Sequence, residues 1–175
     1  MKTTVLYILL GVTIFSYNTS ASEVEFRVTD MTYTWGDIAD FELTGYQIGA
    51  TRYIGNTGVR VMVGQSDTVT NSIKGSHAGE YTQQMQNFWV FNIHHRWWLD
   101  GNLSAQLGVN YSEYRSCTQH SCNPDTGVGY SIALQEHYAN GFSFKVSYDT
   151  YYEKDSKWVG KEITKGSSMS IVYEY

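Results

Sequence analysis

From Ser22 onward, apolar and polar residues alternate with a period of two in stretch after stretch, and clusters of Gly, Asn, Asp and Ser separate the stretches. A period of two marks β-strands, in which successive side chains point to opposite faces. The stretch after Gly141 is the cleanest: Phe142, Phe144, Val146 and Tyr148 share one face, while Ser143, Lys145, Ser147 and Asp149 share the other. After Asn102, Leu103, Ala105, Leu107, Val109 and Tyr111 oppose Ser104, Gln106, Gly108, Asn110 and Ser112. The pattern predicts eight strands, at about 23–35, 42–54, 58–66, 86–99, 102–115, 127–139, 141–153 and 166–175.

The breaks come in two sizes. Gly55-Asn56-Thr57, Asp100-Gly101 and Asn140-Gly141 read as tight hairpin turns, the last as a type I′ turn with two positive φ values. Between them fall longer connections at about 36–41, 67–85, 116–126 and 154–165. Long and short alternate strictly, so every long connection lies at one end of the sheet and every tight turn at the other. That asymmetry, with an even strand number, predicts an all-β fold: an eight-stranded antiparallel up-and-down transmembrane β-barrel. The tight turns and both termini would face the periplasm, and the long loops the outside.

Alternation alone fits equally an inside-out soluble barrel, whose apolar face lines a ligand cavity. The composition of the polar face decides. It carries Glu25, Arg27, Arg60, Arg96, Lys145, Asp149 and Glu174 among Gly and Ser, which suits a narrow lumen filled by paired charges. Aromatic residues add to this, because Trp and Tyr favour the two membrane interfaces. Trp97, Tyr138, Tyr173 and Tyr175, with Phe26, Tyr53 and Phe142, fall near the tight-turn end; Trp35 and Trp89, with Tyr111, Tyr130 and Tyr152, fall near the other.

Composition narrows the picture further. The chain holds 15 Tyr, 16 Gly and one Pro, a strand-and-turn composition, and its formal net charge of −5 with no basic run argues against a nucleic-acid partner. Lys2, the apolar run Val5–Phe15 and the small residues Thr19-Ser20-Ala21 read as a secretory signal, cleaved after Ala21, with 22–175 as the barrel domain. The apolar run is too short for a helical span, which needs roughly 20 residues.

Cys117 and Cys122 are the two cysteines and lie in a polar stretch, where an oxidising compartment favours a local disulfide. Cys117-x-x-His120-x-Cys122 offers three metal ligands, but no fourth is evident nearby, so no metal and no cofactor is expected. Of the histidines, His94 is expected to join the interior network beside Arg96, His95 to face the interface, and His77 and His120 to lie in external loops.

At this point the chain resembles the small outer-membrane barrels of Gram-negative bacteria, the group of the OmpA membrane domain and the OmpX and Ail types. The resemblance covers the whole chain after the signal. Its most specific part is the last strand, which in that group ends on an aromatic residue read by the barrel-assembly machinery; Tyr173 and Tyr175 stand at the aromatic positions. Tyr replaces the commoner terminal Phe, and Ser170 stands where Gly is often found. The resemblance implies outer-membrane lipids and lipopolysaccharide around the wall, and the assembly machinery as a partner.

A barrel of eight strands encloses side chains rather than a wide pore, so function is expected in the loops, the wall or the rim. Some barrels of this size hydrolyse or transfer lipid A acyl chains. The outer-membrane deacylases carry a Ser two residues after the catalytic His, whereas Glu136-His137-Tyr138-Ala139 has Ala at that place. The reading is therefore a non-enzymatic envelope or surface-interaction protein acting through its external loops, with a surface or envelope protein as a partner. A lipid A-modifying enzyme and a narrow pore or hydrophobic-solute conduit are the alternatives.

Overall fold

A computed structural model describes residues 22–36, 38–74, 78–156 and 160–175, with the backbone alone at 152–156 and 160–163. The signal segment, His77 and the side chain of Tyr152 lie outside the described residues. The strands are β1 (Ser22–Trp35), β2 (Ala39–Ile54), β3 (Thr57–Ser66), β4 (Thr68–Ile73), β5 (Gly79–Trp98), β6 (Leu103–Thr118), β7 (Cys122–His137), β8 (Phe142–Ser156) and β9 (Gly160–Glu174).

Every described pairing is antiparallel, β1 pairs with β9, and β3 pairs with β5 to close the sheet. Although nine segments occur, the barrel has eight staves, because β3 and β4 are two parts of one stave broken at Asp67. β3 pairs with the second half of β5 (Gly64↔Phe88) and β4 with the first (Thr68↔Gln84).

Two expectations about the connections change. The long connections are mostly strand: the β6–β7 ladder continues to Cys117↔Cys122, the β4–β5 ladder to Ile73↔Gly79, and the β8–β9 ladder to Ser156↔Gly160. Backbone groups in these segments pair across the hairpin, which satisfies them better than an irregular loop would. The Asn140-Gly141 turn is also different. Only Gly141 has positive φ (81°), and its N–H donates to the Tyr138 carbonyl at 3.2 Å. This is a three-residue loop ending in a left-handed glycine, not a type I′ turn.

The wall changes character along its height. In the half nearer the tight turns, Phe26, Ile48, Ile93, Leu107, Ile132, Phe144 and Ile171 face outward and Arg27, Gln47, Asn92, Gln106, Lys145 and Ser170 inward. This apolar band, Leu103 to Tyr111 on β6, is about 20 Å tall for ~3.3 Å per residue and a ~40° tilt, close to the ~25 Å of a transmembrane barrel.

Above the band both faces reverse. On β1 the apolar residues switch from Val24, Phe26 and Val28 to Met31, Tyr33 and Trp35, which occupy the opposite parity and turn inward, while Asp30, Thr32 and Thr34 turn outward. β5 rephases through a bulge between Gln86 and Trp89, with Asn87 at a φ of 50°, so that Met85 and Phe88 both face inward. The interior there is an apolar core of Met31, Tyr33, Phe41, Leu43, Met62, Met85, Phe88, Val90, Tyr114 and Tyr151. The barrel is thus built for lipid in one half and for water in the other.

Two aromatic placements change. Trp35 lies on the inward parity of β1 and packs against the upper core, its ring 5.5 Å from that of Tyr81. Tyr53 is 2% exposed and points into the lumen. Both are aromatic, but strand phase rather than residue type decides whether a ring meets lipid or core.

Candidate functional site

The membrane-level lumen is filled by charge. Glu25 on β1 is its centre, accepting from Arg27 Nε at 2.9 Å, Arg60 Nη1 at 3.5 Å, Lys145 Nζ, and the Ser170 hydroxyl at 2.7 Å. Asp149 on β8 receives Arg27 Nη1 at 2.9 Å and lies 3.9 Å from Arg60 Nη2. Toward the tight-turn end, Arg96 Nη1 lies 3.1 Å from both Glu23 and Glu174, and its guanidinium stacks 3.8 Å from the Tyr53 ring centre.

The interior set is therefore Glu23, Glu25, Asp149 and Glu174 against Arg27, Arg60, Arg96 and Lys145. The charges balance, which limits the large cost of burying ions. Sequence reasoning missed Glu23, although it stands two residues before Glu25 and so on the same face. Exposures of 0–1% for Glu25, Arg27, Arg60, Lys145 and Asp149 show a plugged lumen at this level.

The histidines divide by face. His94 is buried between Asn92 (2.7 Å) and the Tyr53 hydroxyl (3.1 Å), and the half-exposed His95 ring packs 4.6 Å from Trp97. His120 is exposed at the tip of the β6–β7 hairpin. His137 is better connected than the sequence suggests: its ring contacts the Ser104 hydroxyl at Nε2 (2.9 Å) and the Ser143 hydroxyl at Nδ1 (3.1 Å), with Glu174 at 3.5 Å. A Ser, a His and a carboxylate meet here, but Ser104 is 0% exposed, so its hydroxyl is closed to an incoming acyl group. The imidazole ties β6, β7, β8 and β9 together at the rim.

Trp89, Trp97, Tyr138, Tyr173 and Tyr175 face outward and are 40–55% exposed. Trp97, Tyr138, Tyr173 and Tyr175 cluster near the tight-turn end, and Trp89 stands just below the bulge on β5. The Tyr173 and Tyr175 rings stack 6.5 Å apart on the closing strand.

At the opposite end the barrel opens into a cleft of about 540 Å³. Its apolar wall is Tyr33, Trp35, Phe41 and Tyr81; its polar wall comes from β5 and the β6–β7 hairpin and includes Gln83, Ser116, Asn123 and Asp125. Ser116 and Asn123 face each other across the ladder, and Gln83 Nε2 donates to the Ser116 hydroxyl at 2.7 Å. One register position beyond, the Cys117–Cys122 disulfide clasps the same hairpin. Sequence reasoning singled out this segment but not the cleft, whose walls lie far apart in sequence, from Tyr33 to Asp125.

No protein-family description and no curated protein matches the sequence. Solved structures do. Neisserial surface protein A is similar over 90% of this chain and 100% of its own, with a TM-score of 0.66 and 12% identity. Ail, the attachment invasion locus protein of Yersinia pestis, crystallised with the heparin analogue sucrose octasulfate, covers the same shares at 0.57 and 12%. A de novo designed transmembrane β-barrel matches 91% of this chain and 98% of its own, at 0.52 and 10%. At such identities the likeness is one of fold: the chain is a closed eight-stranded antiparallel β-barrel, matching transmembrane barrels.

Proposed function

We propose that the protein is a non-enzymatic outer-membrane barrel that presents a rigid recognition surface at the cleft end, with the tight turns and both termini in the periplasm. The observation that carries this reading is the reversal of the wall. Anchoring needs only the apolar band, yet β1, β2, β5 and β6 continue beyond it with apolar side chains inside and polar ones outside, an arrangement stable only in water. Such an extension holds a surface away from the bilayer.

Outer-membrane lipids and lipopolysaccharide surround the band, the outward Trp and Tyr rings sit at its edges, and Tyr173 and Tyr175 serve the barrel-assembly machinery. A surface or envelope molecule meets the mouth. The plugged lumen supports binding over conduction, and the enclosed Ser104 supports binding over acyl transfer.

The test is labelling in intact cells with a membrane-impermeant maleimide, in a background lacking Cys117 and Cys122. A cysteine at the hairpin tip, Gln119→Cys, is expected to react in whole cells. One at a tight turn, Ala139→Cys, is expected to react only after permeabilisation. The reverse pattern overturns the orientation and with it the surface role.

A further inference from the structure

We infer that the outer wall carries a binding site for a single lipid A molecule, with one acyl chain in a groove across β7, β8, β9 and β1 and the phosphorylated head above it. This rests on the orientation proposed above, which puts that height of the wall in the outer leaflet, and it adds a defined site to the lipid around the band.

The groove has a volume of about 820 Å³ and crosses four strands, from Ile132 and Leu134 on β7 to Val28 and Asp30 on β1. Its sides are two neighbouring rows of outward side chains. Ala133, Ser147 and Ser168 point inward between those rows, side by side in the ladders, so their backbone forms the floor. Three strand spacings make the groove about 14 Å long, close to the ~15 Å of hydrocarbon in one leaflet.

The groove slopes into the membrane. With strands tilted by ~40°, residues opposite each other on neighbouring strands differ in height by about 3 Å. The outward apolar residues give the direction. On β1 they stop at Val28, with Asp30 the next outward residue, whereas on β7 they continue above Ile132 to Tyr130 and Val128. The β1 end therefore lies at the edge of the band and the β7 end within it. A lipid enters a leaflet in the same way, its polar end at the edge and its chain inside.

The polar end selects the lipid. There the Asp30 carboxylate stands opposite Ser167. Two residues further along β9, on the same face, Lys165 is exposed and opposite Thr32. An acceptor thus comes first along the groove and a cation follows, about 7 Å beyond. Lipid A offers complementary groups in that order: amide N–H and hydroxyl donors beside the acyl chains, then a phosphate on the sugar. Phosphatidylethanolamine offers them reversed, its phosphate beside the chains and its ammonium outermost.

The experiment titrates the full mature chain, refolded in detergent free of lipopolysaccharide, with lipid A and with phosphatidylethanolamine, and counts bound lipid by native mass spectrometry. A single lipid A per barrel is expected, retained at collision energies that strip phosphatidylethanolamine. Ser167→Phe, which fills the polar end of the groove, is expected to lower the bound fraction about fivefold, and Lys165→Ala about threefold. Both positions are exposed and outward, and heat-modifiable migration verifies that the variants fold; should Ser167→Phe fail, Lys165→Ala decides. Ile93→Phe, on the opposite wall, is expected to leave binding unchanged. Equal or stronger retention of phosphatidylethanolamine, a two-chain mass in place of the lipid adduct, unaltered binding in the folded groove variants, or an equal loss in Ile93→Phe overturns the inference. The titration does not depend on orientation. Its failure alongside Gln119→Cys labelling in intact cells strikes the site alone, whereas labelling of Ala139→Cys in intact cells puts the groove in the periplasmic leaflet and removes the surface role with it.

Discussion

Asp67 and Thr44 grip each other through two reciprocal hydrogen bonds: the Asp67 N–H donates to the Thr44 carbonyl at 2.8 Å, and the Asp67 carboxylate accepts from the Thr44 N–H at 2.7 Å. The pair spans the gap between β3 and β4. It lets a stave whose ladder is interrupted continue from the membrane band into the extension without losing its place beside β2. Asp67→Ala removes one of the two bonds and is expected to cost about 1 kcal/mol. Hydrogen exchange should accelerate at 68–73 while the β1–β2 amides below Gly45 keep their protection.

Glu25 is the hub of the lumen, and its loss should exceed that of any single cation. Glu25→Gln leaves Arg27 and Arg60 with Asp149 as their remaining carboxylate and takes from Lys145 the ion-pair partner it has among the described residues, and removing one side of a buried ion pair costs about 3–5 kcal/mol. The unfolding midpoint of the detergent-solubilised barrel is expected to fall sharply for Glu25→Gln and by a smaller amount for Arg60→Met. A change within error for both would show that water, not the ion network, fills the lumen.

The same plug sets the electrical expectation. Wild-type protein in planar bilayers should show no steady conductance, since the guanidinium groups of Arg27 and Arg60 and the ammonium of Lys145 converge on one carboxylate across the lumen. Discrete channels in the wild type that persist after purification from a porin-free strain would favour the conduit reading.

Phe88 anchors the upper core, edge-on to Tyr151 at 4.9 Å and to Tyr114 at 5.6 Å. Phe88→Ala is expected to cost about 3–5 kcal/mol. The loss should be local: protease should cut the extended hairpins while the membrane band survives as a heat-modifiable fragment. Loss of the whole barrel at once would mean that the two halves fold as one unit.

Cys117 and Cys122 close a small ring, with a sequence separation of five, and constrain the unfolded chain by about 2 kcal/mol at most. Cys117→Ser with Cys122→Ser should therefore leave assembly intact. It should loosen the tip of the β6–β7 hairpin, read as faster exchange at 116–123.

The sequence by itself determined the strands, their number of staves and the lipid-facing wall, because within the band each strand meets two constant environments and its alternation stays in phase, as from Phe142 to Tyr148. It also puts Glu25, Arg27, Arg60, Arg96, Lys145, Asp149 and Glu174 on the strand faces opposite their apolar neighbours, since successive side chains point to opposite faces. What it could not determine is where the environments exchange places. Alternation defines two faces but does not say which is inside, and an aromatic ring satisfies lipid and core equally; Trp35 and Tyr53 were therefore placed by residue type and turned out to face inward. Only barrel closure decided this, by bringing Met31, Phe41, Met85, Phe88 and Tyr114 together above the band and by seating Tyr53 among Glu23, His94 and Arg96 near the tight turns. The same closure added Glu23 to the ion network, turned the long connections into paired hairpins, and brought Trp35, Tyr81, Asn123 and Asp125 from distant strands to one mouth. Those contacts depend on which staves become neighbours and at what height, and that information is carried by register rather than by the local pattern of any one strand.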